Sequence, residues 1–187
     1  SVTRAVKIAT TPPMGPTMVV LDAELQEHPI ANRDKLRIPK YTPVIPPVGD
    51  PGALQDAARL LANAEAPVII ADRMTRTQAG VDRLVELAEA LQCAVVDTNG
   101  RMNFPSRHPL NQSQRARAVI SQADVILGLE MNDLWGQLNA QSDRVHRQSR
   151  KVTKAGAKII TISNRDMYSK SNFQDSARFQ EADISIA

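Results

Sequence analysis

The chain has 187 residues, 42% of them hydrophobic and 23% charged, with a single cysteine, Cys93. Intrinsic disorder and a disulfide scaffold are thereby excluded, and no apolar run approaches the ~20 residues of a membrane span. Lys and Arg exceed Asp and Glu by 23 to 20, a field too weak to point to nucleic acid. Only three Phe, two Tyr and one Trp are present, so the core is expected to be aliphatic and single-strand stacking platforms are missing. The start, SVTRAVKIATTPP, has no signal-peptide run, and a cytoplasmic protein without nucleic-acid or membrane partners is expected.

Three regions follow from the proline distribution. Residues 1–28 carry one helical stretch, Val2 to Ala9, and one apolar run, Thr17 to Leu21, expected to be a buried strand. Residues 29–50 hold most of a proline cluster that extends to Pro51, which excludes a long helix or a central strand and reads as a linker. One helix and one strand close no core alone, so residues 1–28 read as the tail of a preceding domain or an arm.

Residues 51–187 are regular. Apolar runs at Pro67–Ala71, Ala94–Thr98, Asp124–Leu129, Lys158–Ser163 and Asp183–Ala187 recur at roughly the length of a βαβ unit. They are short and rich in Val and Ile, as parallel strands covered on both faces are. Between them, Asp50 caps a helix begun by Pro51 with Leu54, Ala57, Ala58 and Leu61 on one stripe. Gln78 to Leu91 forms the next helix, and Gln112 to Gln122 a shorter one that brings Ala118 and Val119 to the sheet. The last is predicted from Ser142 to Ala155, ending at Gly156. The result is an α/β domain with a doubly wound, mainly parallel five- to six-stranded sheet and helices on both faces.

Ligands bind such sheets outside the carboxyl ends of the strands. The four loops there begin at Asp72, Asn99, Glu130 and Asn164. Asn99, Gly100 and Arg101, with Ser163 and Asp166, are the candidate contacts for a nucleotide phosphate and ribose. Against that stands Asp72-Arg73-Met74 after the first strand, where G-x-G-x-x-G would present its amides. P-loop, nucleophile-elbow and C-x-x-C signatures are absent, and His28, His108 and His146 lack metal-ligand spacing. Cys93 is expected to be a buried, inert thiol, and His108-Pro109 to shape a loop. Arg101 is read as tying its loop to a carboxylate, with phosphate pairing the alternative. Trp135 either stacks on a ligand, faces another domain or packs on the sheet edge. Arg144, Arg147, Lys151 and Lys154 are read as one solvated helix face, with an acidic domain face as the alternative. Met102, Phe104 and Pro105 suggest a loop buried against something.

Several strings together resemble the central, Rossmann-like domain of thiamine diphosphate-dependent enzymes of the acetolactate synthase and 2-oxo-acid decarboxylase type. They are RAVKIATTPPMGPTMVVLDAELQ, APVIIADRMTRTQAGVDRLVELAEALQCAVVDT, NGRMNFPSRHPLN, SQADVILGLEMNDLW and KIITISNRDM. The resemblance implies a three-domain subunit, a homodimer or homotetramer when intact, in which flanking pyrimidine- and diphosphate-binding domains hold thiamine diphosphate and Mg²⁺. The activating glutamate and the Gly-Asp-Gly…Asn motif would lie in those flanking domains; here Gly-Asp occurs only at Gly49-Asp50. It implies a parent that adds the cofactor to a 2-oxo acid or acyl donor and cleaves a C–C bond. This chain would be the non-catalytic central piece, spacing the cofactor-binding domains and supporting oligomerisation. In some relatives this domain carries FAD or an adenine nucleotide, usually with Gly-x-Gly after the first strand; the chain departs from that pattern at Asp72-Arg73-Met74. The alternative is a free-standing FAD-, NAD- or ADP-binding module.

Overall fold

A computed structural model describes residues 2–187 except Pro13, Pro46, Pro47, Gly100, Arg144, His146, Arg147 and residues 165–177. The chain divides into two units, Ser1–Val48 and Gly49–Ala187.

In the first unit, α1 (Val2–Thr10) forms as expected, and none of its residues is buried. Asp22 caps α2 (Ala23–Glu27) by accepting the Glu24 amide at 2.9 Å. The strand expected at Thr17–Leu21 does not form, and Met18 and Val20 are 86% and 80% exposed. A strand requires a ladder partner, and Pro12 and Pro16 nearby remove amide donors. Tyr41 meets Thr10 through their hydroxyls at 2.7 Å, a contact across 31 residues of this unit.

The second unit is built on β1 (Pro67–Ala71), β2 (Ala94–Asp97), β3 (Val125–Leu129), β6 (Lys158–Ile162) and β7 (Ile184–Ile186). They pair in parallel in the order β2-β1-β3-β6-β7. A single parallel bridge, Val95 to Asn111, continues the sheet beyond β2. The chain leaves β1 toward β2 and returns to the other side at β3, so the order reverses between β1 and β3. All five predicted strands are present in this sheet.

Side-chain alternation divides the core. Ile69, Ala71, Val95, Leu127 and Leu129 face α3 (Pro51–Ala62) and α4 (Gln78–Leu91), which contribute Ala57, Leu61, Leu84 and Ala88. Val68, Ile70, Val96 and Ile126 face the opposite side, where α5 (Ala116–Gln122) and α6 (Leu134–Leu138) supply Ile120 and Leu138. Helices on both faces make the sheet doubly wound. Asp50 and Thr77 cap α3 and α4 by accepting the amides of Ala53 and Gly80. In α5 the sheet-facing residue is Ile120, with Val119 partly buried; Ala118, expected to face the sheet, is exposed.

Carboxylates pin the amino ends of the strands. Asp124, just before β3, accepts the amides of Glu65 and Ala66, just before β1, at 2.7 and 3.0 Å. Burial pushes its carboxyl up, but these donors bring it below the usual range. Asp183 takes Lys158 Nζ at 2.7 Å and the Ile159 amide at 2.9 Å, and Lys158 chiefly holds its carboxyl down. That stabilisation is present at neutral pH and disappears as pH falls through the lowered value.

The predicted helix at Ser142–Ala155 is replaced by an antiparallel hairpin, β4 (Asn139–Asp143) with β5 (Gln148–Lys151), in register Asn139 to Lys151 and Ala140 to Arg150. The periodic cations suggested a helix, but the segment has no apolar stripe to bury, and Val145 is 84% exposed. Lys151 sits on β5 and Lys154 beyond it, both exposed, so no single helix face carries the charges. Arg144 and Arg147 lie outside the described residues. Gly156, at φ +80°, turns the chain into β6 instead of ending a helix.

Ile126 is fully buried on β3, the central strand of the sheet. Ile126→Ala is expected to cost about 2–5 kcal/mol of unfolding free energy in urea; a loss under about 1 kcal/mol would contradict this core assignment.

Candidate functional site

At the reversal point, the carboxyl ends of β1, β2 and β3 meet in a buried polar cluster. Asp72 follows β1, Asp97 ends β2, and Asn103 lies on the loop after β2. Their exposures are 7%, 8% and 0%, so every polar atom requires a partner. Asn103 provides most of them. Its amide nitrogen donates to the Asp72 carbonyl and to Asp97 Oδ1, the latter at 3.0 Å. Its oxygen accepts the Met74 and Thr75 amides at 3.2 and 3.1 Å, and the Thr75 hydroxyl at 3.3 Å. One side chain thereby ties the loop after β1 to the loop after β2.

Asp97 organises its own loop. Oδ1 accepts the Asn99 amide at 2.9 Å; Oδ2 accepts the amides of Asn103 at 2.8 Å and Phe104 at 3.2 Å. Asp72 Oδ2 accepts the Asn132 amide at 2.8 Å, joining the loop after β1 to that after β3. Converging amides at strand ends are the usual means of holding a phosphate. Here the protein's own carboxylates occupy those amides.

Of the predicted nucleotide contacts, Asn99 and Arg101 lie on one groove and Ser163 on another. Asn99, exposed and at φ +64°, and Arg101, also exposed, line a groove of about 760 Å³ outside β2, with Phe104, Asn111 and Arg115 among its walls. Arg101's guanidinium pairs with no carboxylate among the described residues; its carbonyl accepts from Asn103. Ser163 lines a separate pocket of about 160 Å³ with Trp135 and Arg178, and its hydroxyl reaches Glu130 Oε2 at 3.4 Å. Gly100 and Asp166 lie outside the described residues.

Other singled-out residues have plain structural settings. Arg178 stacks over the Trp135 ring at 4.7 Å. Phe104 is buried within this unit's own core, whereas Met102 is 81% exposed. Cys93 is buried, and loss of hydration pushes its thiol up to about 11, leaving it protonated and unreactive at neutral pH, as expected. Among the described residues no three His, Cys, Asp or Glu side chains gather to hold a metal ion. Sequence reasoning missed Asn103, Asp97 and Asp72 as a unit; a carboxylate closing each of two neighbouring strand runs was the available signal.

Asn103→Ala leaves the Thr75 amide and Asp72 carbonyl buried without partners and is expected to cost about 3 kcal/mol in urea denaturation. Asn103→Asp places a second carboxylate beside Asp97, so its penalty should be larger at neutral than at mildly acidic pH, where one proton restores a donor. A penalty independent of pH would contradict the assigned contact.

The family described as thiamine pyrophosphate enzyme, central domain, matches residues 54–180. A probable acetolactate synthase large subunit of Methanocaldococcus jannaschii is 30% identical over 140 residues, covering 67% of this chain and 23% of the relative. A sulfoacetaldehyde acetyltransferase of Roseovarius nubinhibens is 34% identical over 104 residues, 50% of this chain and 17% of the relative. The chain therefore spans under a quarter of the length of these curated relatives. Benzoylformate decarboxylase from Polynucleobacter necessarius superposes with a TM-score of 0.63 at 22% identity, over 99% of this chain and 33% of that one. A structure described as a thiamin diphosphate-dependent enzyme from Mycobacterium smegmatis gives 0.60 at 18% identity, again over 99% and 33%. The two structures bear on the fold; the matched family, covering more than half of the sequence, assigns membership. The chain belongs to the central-domain family of thiamine pyrophosphate enzymes.

Proposed function

We propose that this chain is the non-catalytic central domain of a thiamine diphosphate-dependent enzyme acting on a 2-oxo acid or acyl donor. Its task is to space and orient the flanking cofactor-binding domains and to support homodimer or homotetramer assembly in the cytoplasm. Residues 1–28 are read as the tail of the preceding pyrimidine-binding domain and residues 29–50 as the linker. The exposed apolar residues of that region, Met18, Val20, Ile38 and Ile45 among them, are consistent with a segment that belongs against other parts of a larger protein.

The observation that carries the reading is the occupied amide cluster. Phosphate recognition at a strand end depends on free backbone N–H groups. The amides of Asn99, Asn103, Phe104 and Asn132 already donate to Asp97 and Asp72. A nucleotide diphosphate would have to displace carboxylates that are buried and fixed. Among the described residues no three His, Cys, Asp or Glu side chains gather to hold a metal ion, so they do not fit thiamine diphosphate with Mg²⁺. A rigid, internally satisfied end to the sheet suits a spacer.

Calorimetric titration of the 187-residue chain with thiamine diphosphate and Mg²⁺ is expected to give no saturable heat, and its turnover of 2-oxo acids no rate above background. Micromolar cofactor binding, or turnover by this chain alone, would overturn the proposal.

A further inference from the structure

Beyond the carboxyl ends of β1 and β2, two grooves share Arg101 and Met102 in their walls. The larger, of about 760 Å³, also has Arg115 in its wall; the smaller, of about 390 Å³, has Arg76. Arg101 and Arg115 are exposed and Arg76 is half-buried. No lysine lines either groove, and Asp97 is the one carboxylate among the described residues that do.

That carboxylate does not answer the three cations. Asp97 is 8% exposed, and both its oxygens accept N–H groups of Asn99, Asn103 and Phe104. The ion pairs among the described residues are Arg59 with Asp56, His108 with Glu89, and Lys158 with Asp183. None reaches Arg76, Arg101 or Arg115. Three guanidiniums therefore share one surface with no internal counter-charge, and Met102, between two of them, is 81% exposed.

We infer that this surface docks a carboxylate-rich protein face, with Arg76, Arg101 and Arg115 pairing to its acidic side chains and Met102 buried at the centre. The occupant is another part of the larger protein proposed above, and the inference rests on that reading. Guanidinium forks match carboxylates through paired N–H donors. Arginine and methionine without lysine is also the composition enriched where proteins meet proteins. A single-stranded nucleic acid fits less well, because Phe104, the one aromatic residue in either wall, is buried and offers no stacking platform. A small phosphate fits less well too, because the amides of Asn99, Asn103 and Phe104 are taken and an apolar side chain stands between the cations.

The test titrates the 187-residue chain with the synthetic peptide Glu-Glu-Leu-Glu-Glu, following the side-chain resonances of the three arginines and the Met102 methyl group. Saturable shifts at these four residues are expected, weakening as salt rises from about 0.05 to about 0.5 M. Arg101→Gln should weaken binding about threefold, as one exposed ion pair does. The triple replacement of Arg76, Arg101 and Arg115 by Gln should abolish it. Arg150→Gln, at an exposed cation of β5, should leave it unchanged. Absence of saturable shifts, equal binding by the triple variant, or tighter binding of an oligothymidylate of equal charge at the same residues would overturn the docking surface. Those outcomes leave the cofactor titration silent, whereas micromolar binding of thiamine diphosphate would strike the reading beneath it.

Discussion

Burying a carboxylate at the end of a strand is costly unless enough N–H groups surround it, and the arrangement of this domain follows from how that requirement is met. Asp97 collects the amides of Asn99, Asn103 and Phe104, and Asn103's side chain then fastens Asp97 to the chain leaving β1. Asp72 does the same toward Asn132. The three loops at the reversal point are consequently one hydrogen-bonded body. At the opposite ends, the half-buried Asp124 and the exposed Asp183 accept the amides of Glu65, Ala66 and Ile159, Asp183 also pairing with Lys158. The sheet is sealed by its own charges at both ends.

That seal has a functional meaning. A parallel sheet of this kind offers a nucleotide two things at the switch point: free amides and a close backbone approach, usually secured by glycine. Here a side-chain carboxylate sits where a phosphate would, and Asp72 and Arg73 stand where glycines would give access. The amides of Asn99, Asn103, Phe104 and Asn132 are satisfied internally, which is consistent with the proposed spacer. The groove outside β2 is lined by residues 111–115 together with Asp97, Asn99, Arg101 and Phe104 of the preceding stretch, so the sealed cluster forms one of its walls.

Much of this was legible in the residues. Short Val- and Ile-rich runs marked β1, β2, β3, β6 and β7 because parallel strands buried on both faces leave little polarity to confuse them. Asp50-Pro51 announced α3 through a cap that acts locally. Where the reading failed, tertiary context decided. Cations at helical spacing after β4 do not make a helix without an apolar stripe, and an apolar run at Thr17–Leu21 does not make a strand without a ladder partner. The polar cluster was harder still. Asn103 is one asparagine among several in loops, and its importance comes from a fold that buries it completely between two chain segments about thirty residues apart. Asn99, Arg101 and Ser163 were linked by their positions after strands, but β1 and β3 stand between β2 and β6, and they line separate grooves.

The central claim is that the amides at the switch point are already occupied by carboxylates. Titrating the chain with inorganic pyrophosphate while following the amide resonances of Asn99, Asn103, Phe104 and Asn132 addresses it directly. The account predicts that these four signals stay in place up to millimolar ligand concentrations. Saturable shifts confined to them, with one pyrophosphate bound per chain, would contradict it.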